Sequence, residues 1–497
     1  MRFQILASSI LLAPLAGARD TCSEGPKSGL TIKTTSGTYT GLVNSSAPDV
    51  NQWLGIPYGR PPVGARRFMP PEKAPDYGTA DAKAYKPICL QSSGSKTSVF
   101  WQLMPEFQNT DPQSEDCLYL NIWGPRRPVQ KKVPVIIWVC GGGFKEGGGH
   151  APYQVPDQWI QRTQTHIVVT FNYRLSVFGF PGSPAANKNA GLMDIRLVTE
   201  WLKDNIAEFG GDPNRMILYG QSAGSNAVLT YAYAYPEKPI VRGFIASSGG
   251  TSTTNPTNSS LFHELAQTAG CANLTATAEL ACMQNVDRQV LQQKVDEAST
   301  DPNRGLFRPI ADNITVFANL TDRLEKGLVA KLPLIAGFTY NEAAAFLPFD
   351  PDATTAPNGT ADPGTGGLAC GAKREILTRS AYGLTTYGYL YSGNFSNITP
   401  RYWLGGMHSS DIPLVFGTHS QFRGNSTELE WQTSYAMEAF WVSFAANPSA
   451  APRDHYGQTW PKYTEASRQI VVFGNATGPS ASYIAPVAIA DKYSGPC

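Results

Sequence analysis

The chain lacks a charge bias. Its 40 Lys and Arg residues face 39 Asp and Glu, a formal net charge of +1 over 497 residues. It has no long basic run and no block of like charges, so it offers no electrostatic footprint for nucleic acid or an anionic membrane surface. No segment reaches the roughly 20 apolar residues that cross a bilayer. The nearest is Ile5 to Leu15, which follows Met1-Arg2 and precedes the small residues Ala16-Gly17-Ala18. That layout predicts a secretory signal peptide over residues 1–18, with the mature chain at 19–497. The eight cysteines, Cys22, Cys89, Cys117, Cys140, Cys271, Cys282, Cys370 and Cys497, form no C-x-x-C pair and no metal-ligand spacing, so no metal is expected. No cofactor is implied either. Histidine is scarce, with six residues, which narrows any choice of general base.

Against these absences stands ample core material, with 42% hydrophobic and 11% aromatic residues. Ten N-x-S/T sequons occur, at Asn44, Asn258, Asn273, Asn313, Asn319, Asn358, Asn394, Asn397, Asn425 and Asn475. With the signal peptide they predict a secreted eukaryotic glycoprotein, in a compartment that permits disulfides. Val133 to Cys140 is a nearly continuous apolar run, and Ile167 to Phe171, Met216 to Tyr219, Ile240 to Ile245 and Leu332 to Ala336 resemble it. Such runs suit strands buried on both faces of a parallel sheet. Helical patterns lie between and after them, over Asp194 to Phe209, Ser225 to Ala234 and Glu428 to Ala446. Strands alternating with helices imply an α/β fold whose mostly parallel sheet is covered on both faces. Asp350 to Gly367, rich in Pro, Gly, Thr and Asp, reads as a surface loop. No charge-rich linker divides the chain, so 19–497 is expected to be one domain.

The chemistry is concentrated in Gly220-Gln221-Ser222-Ala223-Gly224, which follows an apolar strand and precedes a helix. A nucleophile elbow needs that context, because the turn brings backbones too close for side chains at the flanking glycines. Ser222 is therefore the expected nucleophile, and the helix behind it favours developing negative charge. Gly141-Gly142-Gly143-Phe144 follows the strand ending at Cys140. The N–H groups of Gly142, Gly143 and Ala223 are the expected oxyanion hole, where one lost donor costs roughly 10²–10³ in turnover. Gly147-Gly148-Gly149 reads as a flexible loop or hinge. In this chain order the acid and the base follow the serine. That removes His150 and His166, and His263 and His455 sit in polar surroundings suited to a surface. His408, in a glycine-led loop, and His419 remain. Glu342, just past the strand Leu332 to Ala336, is the natural acid, with Asp350 and Asp352 as rivals in the Pro-rich loop.

Taken together these motifs resemble the type-B carboxylesterase family, which includes cholinesterases and the larger fungal lipases. Phe209 to Arg215 leading into Gly220 to Gly224 matches its serine signature, and Glu115 to Trp123 its second signature. Gly55-Ile56-Pro57-Tyr58, Pro61-Pro62-Val63-Gly64, Arg67-Phe68, Asn172-Tyr173-Arg174 and Leu414-Val415-Phe416-Gly417 also fit. The resemblance implies an α/β-hydrolase fold, a Ser222–Glu342–His408 triad, which sets His419 aside, and an oxyanion hole at Gly142, Gly143 and Ala223. It implies disulfides Cys89–Cys117, Cys271–Cys282 and Cys370–Cys497, leaving Cys22 and Cys140 over. It also implies structural ion pairs Arg67–Glu115 and Arg174–Asp194. The region Gly393 to Gly417 resembles fungal members.

Three departures bear on substrate. Gln221 stands where cholinesterases carry a glutamate, Phe107 where they place the tryptophan that packs on choline, and only 66 residues separate Glu342 from His408. Choline esters are therefore disfavoured, and the cap over the pocket is expected to be short. The expected activity is a secreted serine carboxylesterase acting on small-molecule or lipid esters. One alternative is a triacylglycerol lipase whose 89–117 loop, with its apolar Val99 to Phe107, forms a lid. The other is a non-catalytic binding or adhesion member, which the intact triad disfavours. The sequence does not reach the natural ester or the oligomeric state.

Overall fold

A computed structural model describes residues 29–91, 96–251, 260–299, 307–355, 367–475, 482–488 and 497. The expected signal peptide over 1–18, Cys22 and the sequons at Asn258 and Asn358 lie outside the described residues.

An 11-stranded sheet runs through the chain. Its centre is parallel, in the spatial order Ile167–Phe171, Val133–Val139, Gly211–Gln221, Phe244–Ser247, Leu334–Thr339, Thr386–Tyr391 and Gln469–Asn475. Antiparallel strands flank it, Tyr119–Pro125, Val50–Pro57 and Leu42–Val43 on one side and Ser482–Ala488 on the other. Every residue of Val133–Val139 and of Ile167–Phe171 is buried. Two-sided burial removes any polar face, which is why these strands read as unbroken apolar runs. Ala190–Asn205, Ala223–Ala234, Gly367–Ala381 and Glu428–Ala446 are long helices among the described residues. The last starts at a full capping box between Thr427 and Glu430 and buries Phe440, Trp441 and Phe444.

Element boundaries shift for local reasons. The run at Ile240 to Ile245 becomes a strand only at Phe244–Ser247, because Val241 N–H turns back to the Pro239 carbonyl and Ile240 takes φ 67°. The strand expected from Leu332 begins at Leu334, after Pro333, which has no N–H to give a ladder. Thr386–Tyr391 and Gln469–Asn475 complete the parallel sheet without having been marked in the sequence. Helices Ser260–Thr268, Ala276–Asn285 and Arg288–Ser299 gather around a second, smaller core with Phe68, Phe178, Phe262, Met283 and Leu291.

Disulfides join Cys89 to Cys117, Cys271 to Cys282 and Cys370 to Cys497, and Cys140 is free and buried. Among the described sequons, Asn44, Asn273, Asn313, Asn319 and Asn425 are exposed and Asn394 and Asn475 are partly so. Asn397 departs from the expectation of a glycan. It is 7% exposed, and its Nδ2 donates to the His419 carbonyl, Ser426 Oγ and Glu430 Oε1. A glycan on that nitrogen would replace one of its two hydrogens and disturb these buried bonds.

Two buried ion pairs pin the loops around the sheet. Arg67 grips Glu115 at 2.6 and 2.8 Å and also donates to the carbonyls of Met283 and Val286. Arg174 grips Asp194 at 2.7 and 2.9 Å. Removing one partner strands a desolvated charge. Asp194→Ala is therefore expected to lower stability by about 3–5 kcal/mol in urea unfolding, with Arg174→Met/Asp194→Leu recovering most of it. A loss below about 1 kcal/mol would mean that water reaches the pair.

Candidate active site

The strand Gly211–Gln221 turns directly into the helix Ala223–Ala234, and the turn is Ser222, at φ 58° and ψ −123°. A residue with a side chain is strained there, and the surrounding glycines leave it no alternative. A Cβ on Gly220 would run into the Gly224 carbonyl, and a Cβ on Gly224 into that of Val139. Ser222 N–H donates to the Ser247 carbonyl at 2.8 Å, tying the turn to the next parallel strand. The Ala223 N–H lies in the first helical turn, which has no intrahelical acceptor.

The glycine loop lies against this elbow. A Cβ on Gly141 would come within 3.0 Å of Ser222 Cβ and 2.9 Å of Gln221 Oε1. Gly142 and Gly143 take φ 107° and 64°, and the Gly142 carbonyl accepts from Lys145 and Glu146 N–H. Within the described residues the N–H groups of Gly142 and Gly143 donate to nothing. Gly147 to Gly149 are not the flexible loop or hinge expected of them. A Cβ at 147 would meet the Gly141 carbonyl at 2.6 Å, and one at 149 the Phe171 backbone at 2.9 Å. They are packing glycines, and Asn172 Oδ1 accepts from the Gly149 N–H at 2.9 Å.

Glu342 begins a short turn just past Leu334–Thr339. Its Oε1 accepts from Thr339 N–H at 2.8 Å, and its Oε2 stands 2.5 Å from His408 Nδ1. Both side chains are buried. Asn341 N–H donates to the Gly406 carbonyl at 2.8 Å and so brings the histidine loop to the acid. Asp350 and Asp352 are exposed. His419 is wholly buried elsewhere, with Nδ1 2.6 Å from Ser426 Oγ and 3.2 Å from Glu430. His166 is buried to the point where its proton affinity falls to about 3. His150 pairs with Asp111 at 2.8 Å under the ring of Tyr85. His263 pairs with Glu279, and His455 lies exposed against Tyr456.

A model of the carboxylesterase family matches residues 28–362 and 367–483. The chain belongs to the carboxylesterase family. It is a carboxylic ester hydrolase with the α/β-hydrolase fold. The chain is 41% identical to a chlorogenic acid esterase of Aspergillus niger, over 94% of each chain. It is 36% identical to secreted lipase 5 of Gibberella zeae, over 89% of this chain and 90% of that one, and 30% identical to an acetylcholinesterase of Bungarus fasciatus, over 91% and 84%. Among solved structures it is similar to a thermophilic PNB esterase, at a TM-score of 0.75 and 25% identity over 93% of this chain and 98% of that one.

In this esterase several groups near the histidine went unnoticed in the sequence. The Phe346 ring lies 5.0 Å from the His408 ring and is 55% exposed. Asp411, three residues after His408, is fully buried, with Oδ2 2.9 Å from Tyr389 Oη, which stands 2.6 Å from Ser247 Oγ. Burial raises the Asp411 acid to about 6, with Tyr389 opposing, the Glu342 carboxylate adding and His408 opposing. Glu146, packed on Gly142, is pushed to about 7 by burial against the opposing pull of Lys145. Cys140 is inert, its thiol pushed by burial to about 12. The segment Val99 to Phe107 is clasped in place. Val99 N–H donates to the Leu347 carbonyl and Phe349 N–H to that of Thr97, both at 2.8 Å. Glu106 pairs with Arg423, and Val99, Met104 and Phe107 are buried.

Because the folded Asp411 carboxyl keeps its proton to higher pH than the ordinary 3.8, its contribution to stability is complete below about pH 4 and fades as pH rises to about 6. The span is worth at most about 3 kcal/mol. Asp411→Asn, which cannot ionise, is expected to gain in thermal midpoint relative to wild type across that window. A difference that stays constant from pH 4 to 7 would refute the assignment.

Proposed function

We propose that this esterase works through an acyl-enzyme on Ser222, with His408 as base and Glu342 as its orienting acid. The observation that carries the reading is the buried 2.5 Å Glu342–His408 contact beside an elbow whose serine sits at φ 58°. Ser222 Oγ attacks the ester carbonyl carbon while His408 Nε2 takes the hydroxyl proton. The tetrahedral oxyanion receives hydrogen bonds from the Gly142, Gly143 and Ala223 N–H groups. His408 then protonates the departing alkoxide, and water attacks the acyl-serine by the same route in reverse. Glu342 holds the imidazole with its hydrogen on Nδ1 and stabilises its cation.

The Phe346 face beside His408 offers an apolar surface to one arm of the ester. The similarity to a chlorogenic acid esterase makes esters of aromatic acids part of the substrate proposal, alongside small aliphatic esters. The clasp on Val99 to Phe107 favours a fixed wall over a swinging lid, so an esterase is preferred to a lipase. The predicted signal peptide, three disulfides, sequons and likeness to a secreted lipase support an extracellular enzyme. No described helix is long and apolar enough to cross a membrane. Residues 19–497 are taken as one catalytic domain.

The test is hydrolysis of p-nitrophenyl esters from acetate to palmitate, together with chlorogenic acid. Wild type is expected to favour the short soluble esters or the aromatic ester, and Ser222→Ala to be inactive. Long chains cleaved only above their solubility limit would make it a lipase. Glu342→Gln is expected to lower kcat by about 10⁴-fold through the wrong imidazole tautomer. Full activity in that variant would remove Glu342 from the triad.

A further inference from the structure

Gln221 ends the strand Gly211–Gln221 immediately before Ser222, and the reaction as written leaves its side chain unused. That side chain is buried. Its Nε2 lies 3.1 Å from His408 Nε2 and 2.8 Å from Ser409 Oγ. His408 Nδ1 faces the Glu342 carboxylate at 2.5 Å. A carboxylate only accepts, so Nδ1 carries the ring hydrogen and Nε2 the lone pair. The Gln221 amide N–H therefore donates to the lone pair that the serine hydroxyl must later meet. A flipped amide would instead set Oε1 against that lone pair. The second bond, to Ser409 at φ 71°, holds the residue after His408 in a left-handed conformation that costs energy outside glycine.

We propose that Gln221 is a positioning residue whose amide donor holds the His408 ring with Nε2 as acceptor, keeps the imidazole in its unprotonated form, and sets the lowest pH at which the esterase works. This rests on the Ser222–His408–Glu342 reading. A carboxylate at the same place can only accept, and would favour the imidazolium that cannot take the serine proton. Ionisable side chains lie at the ring and in the loops around it. Glu342 lies at Nδ1, Asp411 follows three residues on with Tyr389 at its Oδ2, and Glu146 with Lys145 occupies the glycine loop. The Phe346 ring packed on the imidazole is uncharged. Glu146 titrates in the same pH range as a working imidazole, so the experiment must separate the two.

The measurement is the pH profile of kcat/KM, each variant normalised to its own alkaline plateau, for wild type, Gln221→Glu, Glu146→Gln and the double variant. Gln221→Glu is expected to move the acid limb to higher pH by about one unit or more, and to do so equally in the Glu146→Gln background. Superimposable wild-type and Gln221→Glu profiles would overturn the proposal. So would a shift that vanishes when Glu146 is replaced, because Glu146 would then carry it. Should Gln221→Glu fail to fold, Gln221→Met removes the donor without adding charge. Its acid limb, read as the rate of fluorophosphonate labelling of Ser222, is expected to shift in the same direction by less, and an unmoved limb would overturn the proposal. Wild-type protein that fluorophosphonate does not label at Ser222 would defeat the triad reading itself, a result distinct from any of these.

Discussion

The contact on which the site depends is the close approach of Gly224 to the Val139 carbonyl, with Gly220 pressed against Gly224 from the other side. No side chain fits in either gap, so the helix after Ser222 starts hard against two neighbouring strands. Because Val133–Val139, Gly211–Gln221, Phe244–Ser247 and Leu334–Thr339 are parallel, their carboxyl ends share one edge. Everything that follows those ends is delivered to that edge: the 141–146 loop, Ser222, the Ser247 carbonyl that fixes it, and Glu342. Ligands of open α/β sheets bind at such an edge. His408 comes from further along the chain and reaches the same edge because Asn341 pairs with the Gly406–Met407 backbone.

Burial of charge is handled in two ways. Arg67–Glu115 and Arg174–Asp194 are closed pairs whose other guanidinium N–H groups donate to the carbonyls of Met283, Val286 and Met69, so they hold loops. Around His408 the groups are deliberately mismatched: one carboxylate at Nδ1, a neutral amide at Nε2, and a second carboxyl, Asp411, raised by burial. Unlike environments around one imidazole are the pattern expected of a reacting site rather than a structural one. His419 shows the contrast. It also sits by an acid, Glu430, and by the Ser426 hydroxyl, but beneath Trp431 and away from the elbow at Ser222.

Much of the proposed site was legible in the sequence because it falls in two short local patterns, Gly220 to Gly224 after one apolar strand and Gly141 to Gly143 after another. Local spacing carries such constraints. Glu342, the proposed acid, stands out as the first carboxylate past an apolar strand. Choosing His408 over His419 needed the family resemblance, because both follow the serine in polar loops. Gln221 was visible as a departure, yet its bond spans 187 residues to His408. Phe346 and Asp411 look like ordinary core and loop residues until the fold sets them beside the imidazole. Gly147 to Gly149 looked mobile because composition does not reveal which backbone, here Phe171 and Gly141, lies against a glycine. Asn397 satisfies a sequon by three adjacent letters, while its burial depends on His419, Ser426 and Glu430.

What the sequence by itself determined was the glycine-flanked turn at Ser222 and the kind of layer that holds it. Apolar runs demand a sheet buried on both faces, and flanking glycines demand a turn that only Ser222 occupies. These are short-range steric and solvation requirements, and local stretches of chain express them. Which side chain meets each face of His408 was decided only by the tertiary structure. That choice depends on the register of distant loops against the strand ends, and on how far water is excluded between them. A linear chain does not encode either quantity locally, because each is the sum of packing contributions from elements hundreds of residues apart.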